Sequence, residues 1–278
     1  MNAVIERNEA AIRCEHLSVY ADSKTILGGI TLDIPRGAVV GVVGRNGAGK
    51  STLLRAMVGL AAPEIGTAKL LGQPSLDMDD EVRARLGYVA QTPDLFEWLT
   101  VSEHLDLIGS AYPAWDKDYC LNLVLMLDLP LRDKVSKLSG GDKQKLAVVL
   151  ALAHRPEVLV LDEPVSNLDP LTRRDFMRAL FIDGATDTSI VISSHLLSDL
   201  ERVVSHVAFL REGILQLFDT WDAMLEHLRL APADAAVSND AVIRRGRLHC
   251  IVDTRIDPAW RNAGQACTLD QLFVALNT

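Results

Sequence analysis

Apolar and polar positions follow two spacings along the chain, and the change from one spacing to the other outlines its elements. Alternation over 12–34, interrupted by a polar turn at 21–24, predicts two antiparallel strands. Short, largely apolar runs at 39–43, 158–161 and 189–193 are typical of buried parallel strands. Further strands are predicted at 67–71, 86–90, 203–210, 214–218 and 248–253. The pattern therefore predicts a mixed sheet with an antiparallel part before it.

Between about 92 and 155 the β-branched runs give way to Leu, Asp and Lys at helical spacing. This stretch predicts a helical subdomain. Its helices are predicted at 101–110, 119–127 and 141–153, with Pro113 and Pro130 between them. Later helices are predicted at 170–180, 220–230 and 269–276. The chain as a whole has the element content of an α/β protein.

Length and composition allow one large domain with an appendage. The chain has 278 residues, of which 49% are hydrophobic and 23% charged, as in ordinary globular proteins. The composition changes at 231–239, which is rich in Ala, Pro, Asp and Ser and is typical of a linker. We therefore expect a main domain over 1–230 and a linker with a small C-terminal module over 231–278.

Charge and cysteine usage exclude several classes of function. The net charge of −9 gives no general attraction to nucleic acid or anionic lipid, so no nucleic acid partner is expected. Four scattered cysteines without a C-x-x-C pair suggest neither a disulfide framework nor a zinc site and suit a reducing cytosol. No signal peptide and no apolar run of about 18 residues is found, so we expect no membrane span.

The segment 44–51, between a predicted strand and a predicted helix, carries the strongest chemical signal. It reads Gly-Arg-Asn-Gly-Ala-Gly-Lys-Ser. Glycines let successive backbone N–H groups turn toward a phosphate, and the helix that follows adds its positive end. Lys50 is expected to hold the β- and γ-phosphates of a nucleotide, and Ser51 a Mg²⁺ ion. The alternative is a plain glycine turn between a strand and a helix. This alternative is disfavoured, because the four fixed positions of the 44–51 motif arise together by chance in roughly one in a hundred chains of this length.

Two adjacent carboxylates, Asp162 and Glu163, follow the buried strand at 158–161. An acidic pair with a purely structural role is usually solvated or caps a helix. This strand instead delivers its last residues to the edge of a parallel sheet where ligands bind. Asp162 is therefore placed to meet the Mg²⁺ held by Ser51.

Two further residues admit both a structural and a functional reading. His195 follows the next strand at the same edge, although a lone histidine there is more often structural. Tyr20 stands just before the first turn, where it either stacks on an adenine or packs as a half-buried strand tyrosine.

Taken together, the motifs of this chain resemble the ATP-binding cassette family over about residues 12–220. The most specific is Leu-Ser-Gly-Gly at 138–141, which other P-loop classes lack. The others, in the family's order, are the phosphate loop, Gln91, the acidic pair, the 166–169 segment and His195. The resemblance implies a P-loop NTPase of the cassette type, with a mixed sheet core, an antiparallel β subdomain and a helical subdomain. Here a small C-terminal α+β appendage follows.

The resemblance also implies a role for each motif residue. The nucleotide would contact Tyr20, Gly44, Asn46, Gly47, Ala48, Gly49, Lys50, Ser51, Thr52, Ser139, Gly140 and Gly141. Mg²⁺ would be held, directly or through water, by Ser51, Gln91 and Asp162. The catalytic set would be Glu163, His195, Lys50 and Gln91: Glu163 accepts a proton from the attacking water, and His195 contacts the γ-phosphate.

The Leu-Ser-Gly-Gly motif implies a second subunit. It begins a helix whose positive end would meet the γ-phosphate of ATP bound to another chain. One copy of each motif therefore gives two sites only after dimerisation, as a homodimer or with a paralogous ATPase subunit. Family members usually carry Gln after this motif, and here the residue is Asp142. It is either a tolerated variant in the first helical turn or a charge that repels the phosphate.

The function implied by the resemblance is an ATPase that drives transport through a separate integral membrane permease. The segments 112–116 and 269–273 are similar to those of bacterial exporter subunits encoded apart from their membrane partner. Such a subunit would be cytoplasmic and peripheral at the inner face of the cell membrane. The alternative is a cassette ATPase of iron–sulfur cluster assembly. A regulator without hydrolysis is disfavoured by the intact Glu163 and His195.

Overall fold

A computed structural model describes residues 10–22, 24–166, 168–181, 187–194, 200–201 and 203–277. The elements up to residue 162 are β1 (Ala10–Ala21), β2 (Lys24–Pro35), β3 (Val39–Val43), α1 (Lys50–Met57), β4 (Ile65–Leu70), β5 (Gln73–Pro74), α2 (Asp80–Arg83), β6 (Leu86–Val89), α3 (Val101–Gly109), α4 (Lys117–Met126), α5 (Gly140–Leu152) and β7 (Val158–Asp162). Those that follow are α6 (Pro170–Phe181), β8 (Ser189–Ser194), β9 (His206–Arg211), β10 (Ile214–Thr220), α7 (Trp221–His227), β11 (Leu228–Pro232), β12 (Val242–Arg245), β13 (His249–Asp253), α8 (Trp260–Ala263), β14 (Gln265–Ala266) and α9 (Leu269–Asn277).

The central sheet has the strand order β10-β9-β3-β8-β7-β6. Its neighbours are parallel, except that β9 and β10 form an antiparallel hairpin. The register places Val43 opposite Ser194 and Asp162 opposite Ser193. The carboxyl ends of β3, β7 and β8 therefore lie side by side at one edge, and the predicted mixed sheet is confirmed.

Both faces of this sheet are buried, which explains the unbroken apolar runs. Val158 and Val160 pack in one cluster with α1 and the antiparallel sheet β2-β1-β4-β5. Leu159 and Leu161 pack in the other cluster, which includes α3, α4 and α5. The strand thus delivers Asp162 from between two apolar layers.

The predicted helical subdomain is present as α3, α4 and α5, with ends within two residues of those predicted. Side-chain caps fix where these helices begin. Thr100 and Glu103 form a reciprocal capping box at α3, Asp116 caps α4, and Ser139 caps α5. The cap places the start of α5 at Gly140, one residue before the predicted start.

The C-terminal region differs most from its prediction. The helix predicted over 220–230 ends at His227, and residues 228–232 form strand β11 where the start of a linker was expected. This strand pairs with β13 and β14 in a sheet of order β12-β13-β11-β14. Leu228 continues the helical spacing of Met224 and Leu225, whereas Leu228 and Leu230 together show strand alternation. Pairing with β13 selects the strand. The pattern predicted β13 and α9 but missed β12, α8 and β14.

None of the helices in the described ranges has both the length and the hydropathy that a membrane span requires. The four cysteines are free thiols, and all four are buried.

Candidate functional site

The phosphate loop connects β3 to α1. Gly47 and Gly49 have φ values of 80° and 100°, which glycine adopts without the steric cost that a Cβ imposes. Gly49 directly precedes α1 and Lys50 is its first residue, so the first N–H groups of the helix have no acceptor within it. This end of the helix is therefore built to bind an anion.

Neighbouring strands hold the loop in this shape. A Cβ at Gly44 would collide with the carbonyl oxygen of Leu210, and one at Gly49 would lie 2.8 Å from Cδ2 of Leu27. The N–H of Gly213, in the turn between β9 and β10, donates to the carbonyl oxygen of Ala48 at 3.0 Å. Close packing thus adds a second requirement for glycine at both positions.

Lys50 and Glu163 meet inside the site. Nζ of Lys50 lies 3.1 Å from Oε1 of Glu163, and each side chain is only 6% exposed. The same ammonium group donates to the carbonyl oxygen of Gly44 at 2.9 Å. A phosphate that binds Lys50 must therefore share or replace this ion pair.

A buried serine joins the two carboxylates that follow β7. The Oγ of Ser193 donates to Oδ1 of Asp162 at 2.7 Å and accepts the backbone N–H of Glu163 at 2.8 Å. Asp162 and Ser193 are 3% and 0% exposed. Glu163 has a φ of 47°, so the chain turns sharply directly after the strand. One hydroxyl group thus fixes the Asp162 carboxylate and the backbone that carries Glu163.

The residues predicted to bind Mg²⁺ offer oxygen donors of the kind this ion prefers: a hydroxyl from Ser51, an amide oxygen from Gln91 and a carboxylate from Asp162. Ser51 lies in the first turn of α1, and Asp162 ends β7 at the same edge of the sheet. Gln91 follows β6 and is exposed. This donor set fits a magnesium ion.

The Leu-Ser-Gly-Gly motif presents the N-terminus of α5 at the surface, where Ser139 and Gly140 are exposed. Oγ of Ser139 accepts the N–H of Asp142 at 3.1 Å and donates to Oδ2 of Asp142 at 2.7 Å. Nζ of Lys145 donates to Oδ1 of the same carboxylate at 2.9 Å. Partial burial alone raises the pKa of Asp142, but the hydrogen bonds from Ser139 and Lys145 outweigh it and lower the pKa below its ordinary value.

Of the remaining predicted residues, the structure describes Tyr20 but not His195. Tyr20 is near the end of β1 and 40% exposed, while its backbone N–H donates to the Glu64 carboxylate at 3.0 Å. Its ring is therefore accessible to a ligand. His195 lies outside the described residues, and so does Asn167 of the 166–169 segment.

A comparison with known families covers this same region. The profile of the family described as "ABC transporter" matches residues 27–166, from β2 to the turn after β7. The chain belongs to the ABC transporter family. The matched segment is half of the chain and includes the phosphate loop, Gln91, the 138–141 motif and the acidic pair.

Curated relatives and a solved structure agree with this membership. ABC transporter ATP-binding protein YtrB of Bacillus subtilis (strain 168) is 30% identical over 224 residues, which are 80% of this chain and 76% of the relative. Nod factor export ATP-binding protein I of Paraburkholderia xenovorans (strain LB400) is 34% identical over 214 residues, 74% of this chain and 69% of the relative. A structure described as the ATP binding subunit of an ABC transporter has a TM-score of 0.70 and 29% identity, and the match covers 77% of this chain and 91% of that chain. This chain is an ATP-binding subunit of an ABC transporter and an ATPase.

Two contacts in this ABC subunit escaped the sequence interpretation. Ser193 was assigned only to a strand, although a polar residue ending an apolar run next to the ligand edge is a usable signal. Lys145, in the helix that begins with the Leu-Ser-Gly-Gly motif, was given no role. Its spacing from Asp142 suits an ion pair within one helical turn, and the structure shows that pair.

Proposed function

We propose that this ABC subunit binds MgATP between two cassettes and uses its hydrolysis to drive a substrate through a separate integral membrane permease. The observation that carries the proposal is the meeting of the phosphate loop, Lys50, Asp162 and Glu163 at one edge of the sheet. In addition, the signature helix α5 presents its N-terminus at the surface, open to a second chain.

On the nucleotide side, the accessible ring of Tyr20 stacks on adenine. The N–H groups of residues 46–52, at the loop and the first turn of α1, bind the phosphates together with Lys50. Lys50 is paired with Glu163, so a γ-phosphate that binds the ammonium group would replace the Glu163 carboxylate there, and that carboxylate would then accept a hydrogen bond from water.

On the hydrolytic side, Ser51, Gln91 and Asp162 would hold a magnesium ion, whose positive charge would offset the negative charge that develops on the phosphates. Glu163 accepts the proton of the attacking water, and His195 contacts the γ-phosphate. The two hydrogen bonds of Ser193 fix the position of the Asp162 carboxylate relative to the backbone of Glu163.

The second cassette completes each site. Ser139, Gly140 and Gly141 meet the γ-phosphate of the nucleotide bound to the other chain, which is a second copy or a paralogous ATPase subunit. The exposed N-terminus of α5 provides unpaired N–H groups and a positive end for this contact.

The permease binds in a cavity that we call the coupling groove. It has a volume of about 360 Å³ and lies between β6, residues 93–96, α3 and α5. Phe96 stacks on His104 with ring centroids 5.2 Å apart, and the 69% exposed Trp98 packs against Phe96. Exposed aromatic side chains beside a groove are typical anchors for a partner.

The position of the coupling groove and the polar His104 in its lining favour a short cytoplasmic helix of the permease as the occupant. The lining includes Ala90, which directly precedes Gln91, so a partner in the groove adjoins the proposed magnesium site. His104 is 2% exposed, and its Nδ1 has no hydrogen-bond partner among the described residues. Because this nitrogen is buried, it would bond a polar group of the bound helix only after the imidazole ring turns toward the groove.

The cellular role follows from these contacts. The subunit lies at the cytoplasmic face of the membrane and is held there by its permease. A relative named for Nod factor export favours export over import as the direction. An iron–sulfur assembly ATPase is less favoured, because these two relatives are named for an ABC transporter and for export.

Co-purification from detergent-solubilised membranes tests the proposal. The tagged chain is expressed with candidate neighbouring membrane genes, and an untagged chain is the control. We expect an integral membrane protein in about one-to-one ratio with the subunit. Recovery of an iron–sulfur scaffold in place of a membrane protein would overturn the permease assignment.

A further inference from the structure

The hydroxyl proton of Ser139, the serine of the Leu-Ser-Gly-Gly motif, is already used in a hydrogen bond. A serine hydroxyl has one O–H donor and two acceptor lone pairs. In Ser139 the oxygen accepts from the N–H of Asp142, and the proton is donated to Oδ2 of Asp142 at 2.7 Å. A phosphate oxygen that approaches Ser139 therefore meets a hydroxyl group without an available proton.

Asp142 is held in the charged form that keeps this proton. Lys145 donates to its other carboxylate oxygen at 2.9 Å, with the Lys145 side chain 14% exposed and that of Asp142 28% exposed. Hydrogen bonds to a charged acceptor are roughly twice as strong as those between neutral groups. The Ser139 hydroxyl is therefore held more firmly than by a neutral Gln or Asn at position 142.

We propose that Asp142 is a positioning residue that acts through Ser139 and sets the ATP concentration at which two cassettes close. On closure the Ser139 hydroxyl group rotates and its hydrogen bond to Asp142 breaks. The O–H then donates a hydrogen bond to the γ-phosphate of the nucleotide bound to the other chain. Lys145 stays paired with the carboxylate that Ser139 leaves. This inference rests on the proposed ATP-bound dimer.

The chain contains a matched control in another helix. At the start of α3, Oγ1 of Thr100 accepts the N–H of Glu103 at 3.2 Å and donates to Oε2 of Glu103 at 2.9 Å. This repeats the Ser139–Asp142 arrangement at a helix that takes no part in the proposed nucleotide sandwich. Glu103→Gln therefore removes a comparable charge and contact without touching Ser139.

The experiment uses the Glu163→Gln chain, in which ATP persists, and measures dimer formation by light scattering during a titration with MgATP. We expect Asp142→Asn and Asp142→Gln each to lower the half-maximal ATP concentration by about fivefold, or about 1 kcal/mol, because a neutral acceptor holds the proton less strongly. Glu103→Gln should leave the midpoint unchanged. If Asp142 only stabilised the N-terminus of α5, its replacement would raise the half-maximal ATP concentration. The direction of the change therefore separates a structural role of Asp142 from the proposed positioning role.

A cycle with Ser139→Ala tests whether the effect passes through the hydroxyl group. In the Ser139→Ala chain we expect no gain from Asp142→Asn. A gain there would mean that Asp142 repels the phosphate directly, and the inference would be overturned. It would also be overturned if the parent dimerises with ATP and neither Asp142 variant lowers the midpoint. If the parent does not dimerise with ATP at all, the proposed function fails instead.

Discussion

At the scale of single residues, the site depends on one buried hydroxyl group as much as on its charged residues. Ser193 joins Asp162 to the backbone of Glu163, at the point where the chain turns with a φ of 47°. The sequence pattern predicted the two carboxylates, because they follow a buried strand. It could not predict the serine contact, because that contact depends on the pairing of β7 with β8.

Ser193→Ala tests this role. It leaves the buried N–H of Glu163 and the Asp162 carboxylate without their shared partner, which costs about 1–3 kcal/mol in the free energy of unfolding. We expect a clear fall in MgATP hydrolysis as well. Urea unfolding and a steady-state ATPase assay measure the two effects.

Ser189→Ala is the matched control for that prediction. Ser189 lies in the same strand, is also buried, and accepts the N–H of Gly37 at 2.9 Å, at the end of β8 away from the site. We expect a loss of stability without a comparable loss of ATPase activity. Equal ATPase losses in the two variants would show that Ser193 acts only through stability.

At the scale of elements, the sequence pattern predicted best the strands that are buried on both faces and the helix that directly follows the phosphate loop. The strand at 39–43 and the helix after Gly49 lie where they were predicted, and the strand predicted at 158–161 extends one residue further, to Asp162. The prediction failed in β12 and β14, which are short and partly or fully exposed. Such strands exist through pairing with β13 and β11, which no local pattern records.

Gly140→Asp tests the N-terminus of α5 as a contact for a second chain. A Cβ at Gly140 meets no atom within 4 Å, so we expect the variant to fold normally. The added carboxylate lies where the phosphate of the other chain must approach, so ATP hydrolysis should be lost. Ser102→Asp, in the exposed first turn of α3, adds the same charge and should keep wild-type activity. Full activity of Gly140→Asp would remove this helix from the site.

Trp98→Ala tests the coupling groove. Its indole ring is 69% exposed and packs against Phe96 at the groove, so its loss removes the largest anchor for the permease. We expect recovery of the permease in co-purification to fall at least tenfold, as for a hot-spot residue that contributes about 2 kcal/mol. Leu125→Ala, which alters a 77% exposed side chain on α4, should keep normal recovery. Equal recovery of permease with Trp98→Ala would place the contact elsewhere.

At the scale of the whole molecule, the C-terminal module is packed onto the cassette. Ile251, Leu272 and Leu276 of the module belong to the same apolar cluster as Val207 and Trp221 of the cassette. Arg255 pairs with Asp253 of the module and Asp219 of β10, each at 2.8 Å. We therefore propose that residues 231–278 form a module that is distinct in topology but unfolds together with residues 1–230.

Thiol labelling in increasing urea measures this coupling. Burial raises the pKa of Cys120 and of Cys267 to about 11, so neither thiol should react in the native chain at about pH 8. Cys120 reports on the helical subdomain and Cys267 on the module, and peptide mass mapping separates them. We expect both to become reactive at the same urea concentration. Earlier labelling of Cys267 would show that the module opens independently.

The role of Glu163 as general base is tested most directly by the rate of MgATP hydrolysis of Glu163→Gln, measured beside the affinity of this variant for ATP. The amide keeps the size of the side chain but cannot accept the proton of the attacking water. We expect a kcat lower by ~10²–10⁴-fold. We also expect unchanged or tighter ATP binding, because Lys50 no longer has a charged partner to release. A kcat within about tenfold of wild type would contradict the assignment of Glu163 as the general base, and with it the mechanism proposed for this subunit.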